Sequence, residues 1–378
     1  LKVGIASVGS VGAVTSGALG TGTATVSSGT ALDMNGMTIA NALSVSGTGI
    51  SSSSGSLFNT AATAASVTGP ITLAGDSTFI STPGLTLATV NGGAYSLAVT
   101  ASTAAGTGDI TLNGPVTFSG ENISTFTASR NININASISV GGSTSASGIA
   151  LKYNQANLGG DYNFGLTATG SGASLAASFA GSLSFANTAS TFTTQSAATS
   201  KSYTLVSAFT SANPSTSTFY CSTTAQCGTN NTNFALAGDI DASTFTSNGA
   251  ANGTKYANMR ALGTSNVAYA GTFAGLGHSI TGLSLSGTNN VGLFQNTANG
   301  SVVRDVRLSA TTLSGGTNTG ALVGTANSSL TMSNVLMDAA SGANSISSTG
   351  NYLGALIGTA GSRSEERRVG KECLRLCR

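Results

Sequence analysis

Four prolines and one histidine in 378 residues, with charged side chains at 7% and aromatics at 6%, are the scarcities that define this sequence. Scarce proline suits a chain in which nearly every backbone N–H is engaged in a strand ladder. Scarce charge excludes the usual route to disorder, which combines low hydrophobicity with high net charge. Here 40% of residues are hydrophobic and the mean hydropathy is +0.21, which supplies enough apolar surface for a long core. Helix signals are also missing, because no stretch combines apolar spacing of three and four with caps. With so few His and Cys there is no zinc constellation, and Gly275-Leu276-Gly277 opens a strand instead of joining a strand to a helix as a phosphate loop does. No nucleotide or other cofactor is expected.

The positive net charge comes from one place. Six of the 14 basic residues (Arg363, Arg367, Arg368, Lys371, Arg375, Arg378) and three of the 12 acids (Glu365, Glu366, Glu372) lie at the end of the chain, and without them eight basic groups face nine acidic ones. The run from Arg363 to Cys373 resembles the translation of a short-read sequencing adapter. Residues 362–378 are therefore read as an artefactual tail outside the fold. Neither the tail nor the rest spreads basic residues over a folded face, so nucleic-acid binding is not expected.

Residues 1–19 are apolar but repeatedly interrupted by Gly and Ser, whereas a membrane span needs about 20 predominantly apolar residues. They read as the first layers of the fold, with the remnant of a signal peptide as the alternative. Cys221 and Cys227 flank a short Ser/Thr/Ala/Gln segment whose spacing suits a local disulfide and an oxidising compartment, with two free thiols as the other reading. Closing so small a loop would contribute about 2–3 kcal/mol in the chain-entropy model.

What fills the chain is strand pattern. Residues 42–46, 71–74, 85–90, 95–100, 109–112, 132–140, 149–153 and 162–167 mostly alternate apolar residues with Ser, Thr or Asn, the period of a half-buried strand. Asn131, Asn133 and Asn135 alternate with Ile132 and Ile134, which puts amides on one face and apolar groups on the other and lets the amides ladder between neighbouring strands. In the last third one phrase returns three times: Asn290-Val291-Gly292-Leu293-Phe294, Thr319-Gly320-Ala321-Leu322-Val323-Gly324 and Tyr352-Leu353-Gly354-Ala355-Leu356-Ile357-Gly358. Its glycines advance by 28 and 34 residues (320 − 292 and 354 − 320). Gly292, Gly320, Gly324, Gly354 and Gly358 are thus structural repeat positions. A unit this short cannot bury its own apolar face, so its neighbours must stack on it. The expected fold is all-β, a right-handed parallel β-helix (β-solenoid), divided into residues 1–200, residues 201–361 and the tail.

Several phrases carry a family resemblance. Tyr203-Thr204-Leu205-Val206, Phe234 through Asp239-Ile240-Asp241, Gly271-Thr272-Phe273 through Gly277-His278 and Val291 through Phe294 resemble the GLUG-type repeat region of filamentous-haemagglutinin-like exoproteins. Asn131 to Asn135 and Gly159 to Leu166 look like the segment before that region, and residues 32–50 resemble the strand repeats of autotransporter passengers. The resemblance implies a secreted or surface-displayed Gram-negative adhesin, carried through the outer membrane by a transporter barrel (two-partner secretion or autotransporter type). Such a protein presents a rigid stalk to a glycan or protein receptor on host cells, or to other bacterial cells. The family's amino-terminal secretion domain and any carboxy-terminal barrel are missing from this sequence, which leaves the export route open.

Chemistry-bearing residues are few, and no enzymatic activity is expected. His278 follows a Gly turn and reads as a structural residue stacked on the next strand. Asp239 and Asp241 share a face if they lie on a strand; paired carboxylates of this kind could bind calcium or serve glycosidic hydrolysis. A polysaccharide-degrading β-helix enzyme is therefore the alternative, distinguished by whether Asp239, Asp241 and Arg304 converge. Arg304 and Asp305 point to opposite faces if their segment is a regular strand, and with Arg307 they read as a contact to another strand or a solvated rim. The Thr-x-Thr triplets at 21–25 and 191–193 do not recur at a regular interval, so a crystal-binding face is not expected.

Overall fold

The computed structural model describes residues 1–10, 13–51, 54–102, 108–169, 176–197, 199–209, 231–243, 268–287, 289–326, 329–338, 344–348, 350 and 352–360. Among them all regular structure is β, without a helix, and the strands pair mostly in parallel. The chain forms two compact units, one of Leu1–Leu166 with Phe179–Tyr203 and one of Thr167–Ser178 with Thr204–Arg378.

Three parallel ladders build the first unit. The first contains Ala24–Val26, Leu43–Gly47, the start of Ile71–Ser81, Val90–Gly93, Val116–Phe118, Ser137–Val140 and Ser182–Phe185. The second contains Leu32–Asp33, Leu57–Asn59, the end of Ile71–Ser81, Leu97–Ala101, Ile123–Ala128, Gly148–Lys152 and Thr191–Gln195. Thr38–Ile39, Ala65–Val67, Gly84–Leu87, Asp109–Leu112, Ile132–Ile134 and Tyr162–Phe164 make the third. The chain visits the ladders in the order first, second, third, and then begins again.

Alternation explains which way these strands face. Val67, Leu87, Leu112, Ile134 and Phe164 occupy one register column and are at most 3% exposed, while Ser66, Thr86, Thr111, Asn133 and Asn163 form the neighbouring column on the other face. Each fully buried Leu or Ile of this kind contributes about 1.5–3 kcal/mol.

Residues 162–167, expected as one strand, divide into Tyr162–Phe164 of the third ladder and the start of Leu166–Thr169, and two further expected strands are each divided between ladders. Residues 85–90 split into Gly84–Leu87 and Val90–Gly93, and the buried positions change from odd to even numbers at the corner. Residues 132–140 split into Ile132–Ile134 and Ser137–Val140, but here the buried positions are even on both sides. That corner leaves no mark on the alternation, which is why the sequence reads straight through it. A second correction concerns residues 1–19. Lys2 pairs in parallel with Asp33, as a first layer should, but Val8–Ser10 and Ala13–Ser16 form an antiparallel pair.

In the second unit residues 204–206, Phe234–Leu236, Thr272–Thr281, Val302–Ser309 and Thr331–Asp338 form one parallel ladder, and Ile240–Asp241 pairs with the end of Thr272–Thr281. Three short parallel ladders accompany it, through Ser284–Gly287, Asn290–Val291 and Phe294–Thr297 and their later equivalents. The repeated phrase stacks in register, Asn290 on Asn318 on Tyr352 and Gly320 on Gly354. The apolar centre of the first two copies, Leu293, Phe294, Leu322 and Val323, is fully buried, whereas in the third copy Leu356 and Ile357 are partly buried and Leu353 is exposed.

Candidate functional site

The repeat glycines sit where backbones approach one another. A Cβ on Gly320 would lie 2.4 Å from Gly358 N and 2.6 Å from Val323 O, and one on Gly354 would lie 1.8 Å from Ile357 O. Gly292, Gly324 and Gly358 are equally confined, each by backbone atoms at 2.6 to 2.9 Å. Space, not left-handed geometry, is what these positions require. Cys221 and Cys227 lie outside the described residues.

Asp239 and Asp241 are exposed on either side of the buried Ile240. Each has its own partners. Asp239 Oδ1 accepts the Ser279 N–H at 2.7 Å and the Ser279 hydroxyl at 2.9 Å, and lies 3.5 Å from His278 Nδ1. The His278 ring beside it holds the Asp239 carboxyl well below the usual range; burial opposes this, and the two Ser279 donors reinforce it. Asp241 accepts the Ser243 N–H at 2.9 Å, and the Ser243 hydroxyl and N–H lower its pKa. His278 itself is buried, in register with Val306.

Arg304 and Asp305 depart from the expected arrangement. Asp305 has φ +55°, so the strand bends there and both side chains turn inward together instead of to opposite faces. Arg304 Nε donates to Asp305 Oδ2 at 2.6 Å, and Asn334 Nδ2 donates to Oδ1 at 2.9 Å. Asp305 is fully buried and Arg304 is 7% exposed, so neither belongs to a solvated rim. Arg304 is thus held by Asp305, in register with Ala274, while Asp239 is held by His278 and Ser279. Among the described residues no group of three or more His, Cys, Asp or Glu side chains could hold a metal ion.

A recurrent carboxylate device was not visible in the sequence. Asp33 accepts the N–H and hydroxyl of Thr60, Asp76 those of Ser96, and Glu121 those of both Ser143 and Thr144, just as Asp239 accepts those of Ser279. Each acid grips a Ser or Thr 20 to 40 residues further on. Glu121 takes four donors, at 2.6, 2.9, 3.1 and 2.6 Å, and the Ser143 N–H first, with the two hydroxyls, brings its pKa down to about 2. Burial would raise the pKa of Asp33, but hydrogen bonds from Thr60 and Asn35 outweigh it and leave it lowered. Asp109 behaves similarly: burial pushes its pKa up, while the bidentate Arg130, at 3.0 and 2.6 Å, and the Asn131 N–H bring it below normal. The only sequence trace of the device is an acid within or beside a strand with a Ser or Thr a few dozen residues later, too common to single out.

Outward-facing amides link strands along the ladders. Asn163 donates to Asn133 and Asn133 to Thr111, both at 3.4 Å, and Asn135 donates to Asn113 at 2.9 Å. In the second unit Asn318 donates to Asn290 at 2.7 Å and to Thr325 at 3.1 Å, and accepts from Thr359 at 2.8 Å. These faces carry hydroxyls and carboxamides at the strand spacing of about 4.8 Å. Among the described residues no helix is long and apolar enough to cross a membrane. Comparison of the chain with protein-family models, curated proteins and solved structures finds no match.

Proposed function

We propose that each unit is a right-handed parallel β-helix and that the chain is part of an exported bacterial surface adhesin, in which the stack serves as a stalk and presents its polar faces to ligands. The observation that carries the reading is the repeated circuit of the first unit through three parallel ladders, each strand pairing with its counterpart one circuit away. A chain that returns to the same ladder in the same direction winds as a helix of strands. Right-handedness follows from the strong preference of parallel crossovers for that hand.

The adhesin assignment rests on this architecture together with the likeness of the Tyr203–Phe294 phrases to exoprotein repeats. Stacked repeats supply reach and a long uncharged surface, and they fold by adding one layer to the last. That mode suits a chain emerging through a transporter barrel in the outer membrane. The reading places the protein outside the cell, with a host-cell glycan, a host protein or a neighbouring bacterium as its partner.

Purified chain, labelled and applied to epithelial cells, to Gram-negative bacteria and to immobilised glycans, tests the proposal. Saturable binding to at least one of them, competed by unlabelled protein, is expected. Absence of binding, or release of reducing ends from polysaccharides by the same sample, would overturn it in favour of a spacer or an enzyme respectively.

A further inference from the structure

The uniformity of the second unit creates a problem of register. Between Val302–Ser309 and Thr331–Asp338 of its main ladder, Leu308 faces Met337 and Val306 faces Val335. A slip by one residue would turn every apolar side chain outward, but a slip by two keeps all faces and exchanges one apolar contact for another. Hydrophobic pattern alone therefore does not choose between these alignments.

One place along the ladder is different. Asp305 and Asn334, which lie opposite each other, both have positive φ, +55° and +51°, and the preceding strand answers them with Leu276 at +54° and Gly277 at +82°. The bend is thus stacked through three consecutive strands. Gly275 fits beneath it because a Cβ there would lie 2.3 Å from the Asp305 carbonyl oxygen. Inside the bend Arg304 and Asn334 occupy the two carboxylate oxygens of the fully buried Asp305.

We infer that the Arg304–Asp305–Asn334 cluster is the register key of this unit. A slip carries Arg304 along with Asp305, its neighbour on the same strand, but takes the Asn334 N–H away from the buried carboxylate, and a buried charged acceptor that loses a donor is costly in a way apolar contacts do not recover. Replacing such a pair by apolar groups often leaves stability unchanged, so cohesion alone is a poor reason for its presence. In a slipped alignment Asn334 moves away from Asp305, and the bends of adjacent strands no longer nest. The key makes one alignment available and the rest costly.

The test removes charge while keeping shape, in Arg304→Met with Asp305→Asn; Asn accepts left-handed geometry, as Asn334 shows. Register is read by disulfide trapping in chain whose Cys221, Cys227, Cys373 and Cys377 are changed to Ser. Arg307→Cys with Leu336→Cys reports the native alignment of the two strands that the Asp305–Asn334 bond joins, since these residues pair. Ser309→Cys with Leu336→Cys reports the alignment slipped by two.

With the cluster intact only the 307–336 pair should close. In the double variant, still β-rich by circular dichroism, the 309–336 pair should close as well, rising from undetectable to a clear fraction. A folded double variant that traps only 307–336 would show that the bend or the core sets the register. A double variant that loses its β signal would show that the charges are needed for cohesion itself. Either result overturns the inference.

Discussion

Placing a methyl group on Gly320 tests whether close layer stacking dictates the repeated phrase. The Cβ would meet Gly358 N at 2.4 Å, Val323 O at 2.6 Å and Ile357 C at 2.7 Å, all backbone atoms that no side-chain rotation can clear. Relief requires the 320–323 segment to open and the strand of residues 352–360 to retreat by on the order of 1 Å, which forfeits a quarter to a half of each dispersion contact across the gap. Together with strained ladder hydrogen bonds, Gly320→Ala should cost about 3 kcal/mol. Gly238→Ala is the matched control: no atom lies within 4 Å of its Cβ and φ is not positive, so loss of unfolded-chain freedom should stabilise by about 0.4–1 kcal/mol. Urea titration followed by far-ultraviolet circular dichroism separates the two, with Gly320→Ala lowering the midpoint by roughly 1–2 M at ordinary denaturant slopes. Equal midpoints for both variants would refute the argument that space at the glycines holds the layers together.

Three further outcomes follow from described contacts. Stability should fall in acid, because Asp33, Asp109, Glu121, Asp239 and Asp241 all have lowered pKa values in the fold. A depressed carboxyl contributes fully above its unfolded pKa and loses that contribution as pH drops toward its folded one, so for Glu121 the loss runs from 4.5 to about 2; thermal melts of Glu121→Gln should show a shallower pH slope there than the parent. Asn318→Ala removes donors to Asn290 and Thr325 and an acceptor for Thr359, and should lower stability by about 1–3 kcal/mol in urea unfolding. Phe126→Ala empties a fully buried site between Val99 and Leu151 and should cost about 3–5 kcal/mol, read from the same titration; a loss under 1 kcal/mol would mean that the ladder collapses around the void.

The all-β, mainly parallel character was legible because alternation is local: Ile132 and Ile134 declare their face within three residues. Asp109–Leu112 is read with its observed bounds for the same reason. Corners are legible only where they shift the phase, as between Leu87 and Val90, and silent where they do not, as between Ile134 and Ile138. The antiparallel pair at Val8–Ser16 has no sequence signature because two short strands in either direction have the same composition. Asp305 lies inward because a left-handed residue breaks the alternation, which passes from Val303 to Val306 and Leu308. The grip of Glu121 on Ser143 and Thr144 joins residues 22 and 23 apart, a separation at which sequence carries no directional signal.

Between Tyr162–Phe164 and Ser182–Phe185 the chain makes the extra strands Leu166–Thr169 and Ala176–Phe179, yet Ser137 to Val140 still align one for one with Ser182 to Phe185. Additional segments can therefore enter at a bend without disturbing the pairing that precedes and follows them. Such an architecture can acquire new appendages piecemeal, each tried at a corner while the scaffold stays the same.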